Sequence, residues 1–270
     1  MVLRALVLLF VVLGSGVLAA ERQARALKQG RPNAKLQAEF EKIYESKLWG
    51  TDGAGSGAGS SLSASSYARS ILRLVVNKFG IRGMIDAPCG AMAWMPSVLR
   101  DIWDDIEGFQ YLGVDIVQSV IMANIEHFKH QTSWMHFRTM DFSEQPLPGG
   151  YDLIFCRDAL QHLPLLSGIN ALENFSKTKA RYLLVGSYAT PKGNREIDIN
   201  AGGNAYFDIN LTEEPFFLTG YQQIFSEHTD ILPSELEKHM LLYPMHYLKA
   251  ANFTEMRIRA RAMNATTVQF

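Results

Sequence analysis

Four aspartates follow or end short apolar runs of the sequence, and they are the first candidates for ligand chemistry. The runs GMIDA, YLGVDI, MHFRTMD and YDLIFCRD contain or end in Asp86, Asp115, Asp141 and Asp158. Each run has the length and composition of a buried strand. Because the carboxyl ends of parallel strands meet at one edge of a sheet, where α/β folds bind ligands, we expect these carboxylates to border one site.

The turn after the first of these strands narrows the choice of ligand. It reads DAPCGA and holds one glycine, Gly90, where a dinucleotide fold would have G-x-G-x-x-G. A pyrophosphate beside Asp86 is unfavourable on Coulomb grounds, whereas an ammonium group is favourable there. Asp115 ends the second strand, where a carboxylate can accept hydrogen bonds from two ribose hydroxyls. The pattern favours S-adenosylmethionine over NAD.

Helical segments alternate with the strands and must position these residues. Helices are predicted over 64–79, 94–106, 117–130 and through the 160s and 170s, and RYLLVGSY reads as a fifth strand. Short connections between alternating strands and helices are typical of a doubly wound parallel sheet. The fold class predicted is α/β, a Rossmann-like sheet of about seven strands.

Two segments precede this core. Apolar residues at helical spacing predict an amphipathic helix over 33–48. The Gly/Ser-rich stretch 53–60 has the composition of a flexible linker. It is also the composition of a loop whose backbone closes over a ligand, and the residues alone leave both interpretations open.

The ordered set of motifs resembles a known family. IDAPCGAMAWM, YLGVDI and FRTMDFSEQPLPGGYDLIFCRDALQHLP resemble the class I S-adenosylmethionine-dependent methyltransferases. The closest resemblance is to a family whose bacterial members read W-G…S-G-x-G-S, D-A-P-C-G and C-R-D-x-L-x-H-L. The late segments NREIDINAGG and FDINLTEEPFFL also resemble that family, so the match runs from about residue 40 to about residue 248.

The resemblance implies a cofactor site for S-adenosylmethionine. Asp86 and Gly90 would line the methionine end, Asp115 would hold the ribose, and Asp141 with Phe142 would lie at the adenine. Trp49 and the loop Gly57 to Ser60 would cover the site. The remaining residues assigned to the cofactor are Ala87, Cys89 and Arg157, and Arg157 is alternatively a structural ion-pair partner. Where the family carries a polar residue after D-A-P-C-G, this chain has Ala91.

Methyl transfer to oxygen or nitrogen requires alignment of the reactants and removal of a proton. His162 is the candidate general base, because its ordinary pKa near 6.5 suits proton removal at neutral pH. Asp158 is four residues earlier, so it would share a helix face with His162 if the helix begins there, and would orient it or bind substrate. The alternative is that His162 caps or packs the helix start. No metal site is predicted, because the other histidines lack ligands at suitable spacing.

The composition limits the partners. The chain has 270 residues with 26 Lys and Arg against 27 Asp and Glu, so it lacks the basic excess of a nucleic-acid-binding protein. The predicted acceptor is a small molecule or a glycan. The alternatives are a membrane-tethered enzyme acting on a cytosolic metabolite or lipid, and a binding module of the same fold without catalysis.

The first 20 residues indicate a compartment. An apolar run from residue 5, ending in small residues, predicts a signal peptide or signal anchor at 1–20, with membrane attachment through 5–20. Four N-x-[ST] sequences accord with a location in the secretory pathway, although a cytosol-facing orientation stays open. The domain plan is leader 1–20, helix and Gly/Ser loop 21–62, methyltransferase domain 63–250 and tail 251–270. Alternating arginines suggest an edge strand or a solvated extension for the tail, and Cys89 and Cys156 are expected to be free, buried thiols.

Overall fold

Seven strands form one mixed sheet in the computed structural model, which describes residues 32–189, 192–228 and 237–267. The strands are β1 Gly83–Asp86, β2 Gln110–Asp115, β3 Met135–Thr139, β4 Leu153–Cys156, β5 Tyr182–Ala189, β6 Gln223–Ser226 and β7 Glu237–Pro244. Their order is β3-β2-β1-β4-β5-β7-β6. The first five are parallel, and β7 runs antiparallel between β5 and β6.

Seven α-helices accompany the strands in the described residues. They are α1 Ala34–Glu45, α2 Ser66–Lys78, α3 Met95–Asp105, α4 Gln118–His127, α5 Leu165–Ser176, α6 Met245–Lys249 and α7 Phe253–Thr267. The central strands β1 and β4 are buried along their whole length, as expected of parallel strands covered on both faces. The predicted fold class is therefore confirmed. The sequence analysis placed the first five strands but did not locate β6 or β7.

Strand order reverses at β1, which pairs with β2 on one side and β4 on the other. Open α/β sheets bind ligands at such a point, outside the carboxyl ends of the strands. Asp86 and Asp115 are the last residues of β1 and β2, while Asp141 and Asp158 lie two residues beyond the ends of β3 and β4. The four carboxylates therefore border one edge of the sheet, as expected.

The helix predicted to begin near Asp158 begins later. A short 3₁₀ turn spans Leu160–His162, and α5 starts at Leu165, immediately after Pro164. Proline at this position suits the start of a helix and disfavours helical backbone in the residue before it. Asp158 itself has a φ of 52°, outside the right-handed helical region. The premise that Asp158 and His162 share a helix face is wrong.

The tail is a helix, which corrects the expected edge strand or solvated extension. Phe253, Met256 and Ala260 are buried at spacings of three and four residues, whereas Ile258 is 54% exposed. Arg257 pairs with Glu173 of α5 at 2.5 Å. The alternation of arginines hid this helical spacing, and α7 packs against α5.

Three further expectations concern the two cysteines, the leader and a membrane-spanning helix. Cys89 and Cys156 are free and buried, as predicted. The leader, 1–20, lies outside the described residues. Over the ranges that are described, no helix combines the length and apolar character needed to cross a membrane.

Candidate active site

A cavity opens at the carboxyl ends of β1, β2 and β4, and we call it the strand-end cavity. Its wall combines carboxylates at strand ends with aromatic and aliphatic side chains from α1, from the turn after β1 and from the segment after β4. Predicted site residues on its wall are Trp49, Ser60, Asp86, Cys89, Gly90, Asp115, Asp141, Phe142, Arg157, Asp158 and His162. The fold therefore brings most of the predicted site residues together.

Two predicted residues lie elsewhere. Ala87 is fully buried and does not border this cavity; its N–H donates to the carbonyl of Phe155 at 2.9 Å, which extends the pairing of β1 with β4. Gly57 borders an adjoining cavity described below. Cys89 does border the strand-end cavity, and burial raises the pKa of its thiol well above the ordinary value.

Asp115 connects two strand ends. Its Oδ2 accepts from the N–H of Gly90 at 3.0 Å and its Oδ1 from the N–H of Val117 at 2.9 Å. The side chain is 4% exposed, and burial raises its pKa to about 6, against the lowering effect of those backbone donors. Asp115 therefore remains mainly ionised at neutral pH and fixes the turn after β1.

Asp86 is the most perturbed carboxyl group of the cavity. It is 2% exposed, and its Oδ2 accepts from the hydroxyl of Tyr111 at 2.7 Å. Burial raises its pKa to about 8, because the opposing effects of the Tyr111 hydrogen bond and of the Arg157 charge do not offset the loss of water. In this state the group is mainly protonated at pH 7, and a cation in the cavity would favour its ionised form.

The Gly/Ser stretch forms part of the wall of the site. Two short 3₁₀ turns, Asp52–Gly55 and Ala58–Ser60, carry it across the turn after β1. Ser56 Oγ accepts from the N–H of Ala91 at 3.0 Å and lies 2.9 Å from the hydroxyl of Tyr44. Trp49 donates through Nε1 to the carbonyl of Gly203 at 3.2 Å. These contacts favour the loop interpretation over the flexible linker.

Gly90 is required by this packing. Its φ is +53°, and a Cβ there would lie 2.8 Å from Ser56 Oγ and 3.3 Å from the Tyr44 hydroxyl. Ser56 and Tyr44 were missed by sequence reasoning. Ser56 is the first residue of the S-G-x-G-S pattern, which was the available signal for it.

Asp141 and Phe142 close the side of the cavity next to α1. Asp141 Oδ2 accepts from the N–H of Asn33 at 2.9 Å, and Oδ1 accepts from the N–H and the hydroxyl of Ser143 at 2.9 and 2.6 Å. Both oxygens of Asp141 therefore hold protein groups, and one of them fixes the start of α1. Phe142 packs on Phe175 with a centroid distance of 5.6 Å.

His162 is held by the backbone rather than by a carboxylate. Its Nδ1 lies 2.9 Å from the carbonyl oxygen of Ala205, and its ring packs between Trp49 and Tyr206 at centroid distances of 4.9 and 5.4 Å. A carbonyl oxygen only accepts, so Nδ1 carries the hydrogen and Nε2 of the neutral ring carries a lone pair. Burial lowers the pKa of His162, against the opposing effects of the Ala205 carbonyl and Asp158.

Asp158 belongs to a buried ion network. Arg157 contacts Asp158 at 2.9 Å and Glu227, and Lys238 contacts Asp158 at 2.8 Å and Glu227 at 2.9 Å. Although burial opposes ionisation, Arg157 and Lys238 hold the pKa of Asp158 well below its ordinary value. Arg157 also donates to the carbonyl of Gly59 at 3.1 Å, which ties the Gly/Ser loop to β4. Arg157 therefore forms the ion pairs of its structural interpretation, and Asp158 makes no hydrogen bond to His162 in the described residues.

A second cavity adjoins the first, and we call it the side cavity. The two share Trp49, Ser56, Ser60, Arg157, Asp158 and His162 on their walls. The side cavity adds Tyr188 and Lys238 from β5 and β7, together with Arg195 and Tyr206 from the long connection between β5 and β6. That connection has no regular hydrophobic period, so no sequence signal identified these residues. His162 therefore lies where the two cavities meet.

No protein-family model and no curated protein matches the sequence. Solved structures do match the fold. The N-methyltransferase NodS of Bradyrhizobium japonicum WM9, solved in complex with S-adenosyl-L-homocysteine, superposes with a TM-score of 0.53 over 76% of this chain and 97% of its own, at 14% identity.

Two O-methyltransferases also superpose. One comes from a trans-AT PKS multienzyme of Brevibacillus brevis and was solved in complex with S-adenosyl-L-homocysteine; its TM-score is 0.50 over 89% of this chain and 93% of its own, at 11% identity. The StiE O-MT gives a TM-score of 0.50 over 88% of this chain and 91% of its own, at 10% identity. At these identities the likeness establishes the fold: the described chain has the Rossmann-like fold of the class I methyltransferases.

Proposed function

We propose that this protein is an S-adenosylmethionine-dependent methyltransferase that methylates an oxygen atom of a small-molecule or glycan acceptor. The observation that carries the proposal is the position of His162, which lines both cavities and whose Nε2 has no hydrogen-bond partner among the described residues. An enzyme that joins a cofactor to a separate acceptor needs two adjoining spaces with a proton acceptor between them.

The residues of the strand-end cavity fit the cofactor. Asp86 is a buried carboxyl group that forms no ion pair with the described residues, which suits the ammonium group of the methionine moiety. Asp115 would hold the ribose, Gly90 admits close approach of the backbone, and Phe142 with Ile116 offers apolar surface to the adenine. Two structural neighbours were solved with S-adenosyl-L-homocysteine, which supports the same cofactor here. When bound, the cofactor supplies a methyl group on a sulfonium centre.

Ala91 does not weigh against this fit. Its N–H is already bonded to Ser56 Oγ, and its side chain does not border the strand-end cavity. The contribution of this position is therefore a backbone N–H that fixes the loop, which any residue except proline can supply.

The chain itself aligns the acceptor and removes its proton. Trp49 and Tyr206 hold the His162 ring from two sides, and the Ala205 carbonyl fixes the tautomer with Nε2 as the base. The lowered pKa of His162 keeps Nε2 unprotonated at neutral pH. An acceptor hydroxyl in the side cavity would donate its proton to Nε2 as the oxygen attacks. The Gly/Ser loop and Trp49 exclude water from the reacting groups.

We also propose that residues 1–20 direct the chain to the secretory pathway, or anchor it to a membrane through 5–20. The support is the apolar run in the sequence. Of the four N-x-[ST] sequences, Asn210 is buried, and the Asn174 amide donates to the carbonyls of Phe142 and Ser143. The Asn264 amide likewise donates to Glu196 at 2.8 Å. Glycan attachment is therefore expected at Asn252 only, which peptide mapping after glycosidase treatment would test.

The reaction is tested by measuring S-adenosylhomocysteine formation with hydroxyl and amine acceptors of matched size. We expect turnover with hydroxyl compounds and a methyl ether as the product, identified by mass spectrometry. Turnover confined to amines would contradict oxygen as the acceptor atom. A folded protein that binds neither S-adenosylmethionine nor S-adenosylhomocysteine would contradict the proposed function as a whole.

A further inference from the structure

The side cavity has the character of an acceptor site rather than of a second part of the cofactor site. Its wall carries three aromatic side chains, Trp49, Tyr188 and Tyr206, together with the polar groups of Gln161, Asn204 and Arg195. Apolar surface with a few placed polar groups is the usual lining of a small-molecule site. The aromatic rings offer flat surface to a sugar or phenol ring, and His162 forms part of the same wall.

The charged side chains that line the side cavity do not all have a partner of opposite charge in the described residues. Arg157 and Lys238 are compensated by Asp158 and by Glu227 behind the wall. Arg195 is the remaining cation. Its only hydrogen bond within the described ranges is from Nη2 to the carbonyl of Tyr206 at 3.2 Å, and it forms no ion pair there. The side cavity therefore carries one uncompensated positive charge.

Arg195 and the proposed base line the same cavity and contact the same tyrosine, Tyr206. The carbonyl that accepts from Arg195 Nη2 belongs to Tyr206, whose ring lies 5.4 Å from the ring of His162. The hydroxyl of Tyr206 donates to Asp208 at 2.6 Å, so that ring is fixed from its far end. Asp208 does not border the cavity. Tyr206 therefore contacts both the guanidinium group of Arg195 and the ring of His162.

We propose that the side cavity binds an acceptor that carries both a hydroxyl group and an anionic group, with the anion on Arg195 and the hydroxyl at His162 Nε2. Guanidinium groups bind carboxylates in charge-assisted, often bidentate pairs, and Arg195 keeps most of its donors free for such a pair. Sugar acids and phenolic acids share this chemistry. The inference rests on the proposed function, because it assigns the acceptor of that reaction.

The test compares acids with neutral partners of the same shape. Galacturonate and galactose form one pair, and 4-hydroxybenzoate and 4-hydroxybenzamide the other. Each is titrated calorimetrically into the full chain, with and without saturating S-adenosylhomocysteine. We expect at least one acid to bind about tenfold more tightly than its neutral partner, as a single charge-assisted contact predicts. The pair that shows the preference distinguishes a sugar acid from a phenolic acid.

Two variants decide the role of Arg195. Arg195→Gln removes the charge from an exposed side chain and is expected to abolish the preference for the acid while the affinity for S-adenosylhomocysteine stays within about twofold. Arg100→Gln, at an exposed arginine of α3 outside both cavities, is the control and should keep the preference. Circular dichroism checks that both variants fold.

Three results would overturn the inference: equal binding of acids and neutral partners, no binding of either acid, or a preference that survives in Arg195→Gln. Failure of the wild-type protein to bind S-adenosylhomocysteine is a separate result. It would contradict the proposed function, and the titrations without that compound would still report on the anion site.

Discussion

The Nδ1 atom of His162 lies 2.9 Å from the carbonyl oxygen of Ala205, 43 residues later in the chain. This contact fixes which ring nitrogen carries the hydrogen, and it leaves Nε2 as a proton acceptor beside both cavities. The aspartate that the sequence suggested as its partner pairs instead with Arg157 and Lys238. The orientation of the proposed base therefore depends on the connection between β5 and β6.

His162→Gln should lower kcat by about 10²- to 10⁴-fold, the usual contribution of a general base. The affinity for S-adenosylhomocysteine should change little, because the effect falls on proton transfer. His130→Gln, at an exposed histidine of the segment after α4, is the matched control and should retain activity. Equal loss in both variants, or full activity of His162→Gln, would contradict the assignment of the base.

The pH profile gives a second test of His162. Burial lowers its pKa below 6.5, so the base is unprotonated at neutral pH and gains a proton only in acid. With S-adenosylmethionine saturating, so that Asp86 stays ionised, we expect kcat/KM for the acceptor to be level near neutral pH and to fall at a pH below 6.5. A rate that fell already between pH 7 and pH 8 on acidification would conflict with the lowered pKa.

Binding of the cofactor should release a proton from Asp86. The pKa of Asp86 is raised to about 8, so the group is mainly protonated at pH 7, and an ammonium group would favour its ionised form. The affinity for S-adenosylhomocysteine should rise by up to about tenfold per pH unit between about pH 6 and pH 7. Calorimetry in buffers of different ionisation enthalpy counts the released protons, and Asp86→Asn should release none. A binding heat independent of the buffer would contradict the prediction.

The same raised pKa predicts how the stability of the ligand-free protein varies with pH. Between the ordinary value of 3.8 and about 8, the folded state binds a proton at Asp86 that the unfolded chain does not hold. This contribution to the free energy of unfolding is fully present below pH 3.8 and is lost as the pH rises through about 8. In Asp86→Asn, the free energy of unfolding measured with urea should vary less with pH between 3.8 and about 8. The same pH dependence in the variant and the wild-type protein would contradict the raised pKa of Asp86.

Gly90→Ala should disturb the wall of the strand-end cavity. The new Cβ would meet Ser56 Oγ at 2.8 Å, on a backbone with a φ of +53°. We expect a loss of roughly 1–3 kcal/mol of stability and weaker binding of S-adenosylhomocysteine. Gly149→Ala is the control, because nothing lies within 4 Å of a Cβ there. The prediction fails if the two variants have the same melting temperature and the same affinity.

Replacing Arg157 should lower the free energy of unfolding far more than replacing an exposed arginine. The Arg157 side chain is 3% exposed and pairs with two carboxylates, so Arg157→Met leaves buried charge uncompensated and should cost about 3–5 kcal/mol. Arg73 also pairs with two carboxylates, but its side chain is 46% exposed, and Arg73→Met should cost less than about 1 kcal/mol. Urea unfolding measures both, and similar costs would show that the buried network contributes little.

Local sequence patterns predicted the sheet because each of the first five strands is a short apolar run with its own boundary signals. The ends of β1 and β2 at Asp86 and Asp115 followed directly from those runs. The start of α5 did not, because the motif around His162 suggested a helix although Pro164 disfavours helical backbone just before it. In α7, alternating arginines concealed the buried positions Met256 and Ala260.

The acceptor side of the site could not be predicted because it is assembled from distant segments. Ala205 contributes only a backbone carbonyl, which every residue type has, so the sequence could not indicate this contact. Glu227 directly follows β6 and Lys238 belongs to β7, two strands that the sequence patterns did not locate. They reach Arg157 and Asp158 only through the order of the sheet. Arg195 and Tyr206 lie in a long connection whose course is set by tertiary contacts.

The most direct test of the account is a calorimetric titration of the full chain with S-adenosylhomocysteine, alongside Asp115→Asn. Asp115 carries the ribose in this account. The amide keeps the size of the side chain but only one of its two backbone contacts, because Oδ2 accepts from Gly90 and Oδ1 from Val117, so circular dichroism must show that the variant is folded. We predict a single site with an affinity in the micromolar range, about 8 kcal/mol, that weakens at least tenfold in the variant. A folded protein without measurable binding, or equal binding by the variant, would contradict the assignment of the strand-end cavity to this cofactor.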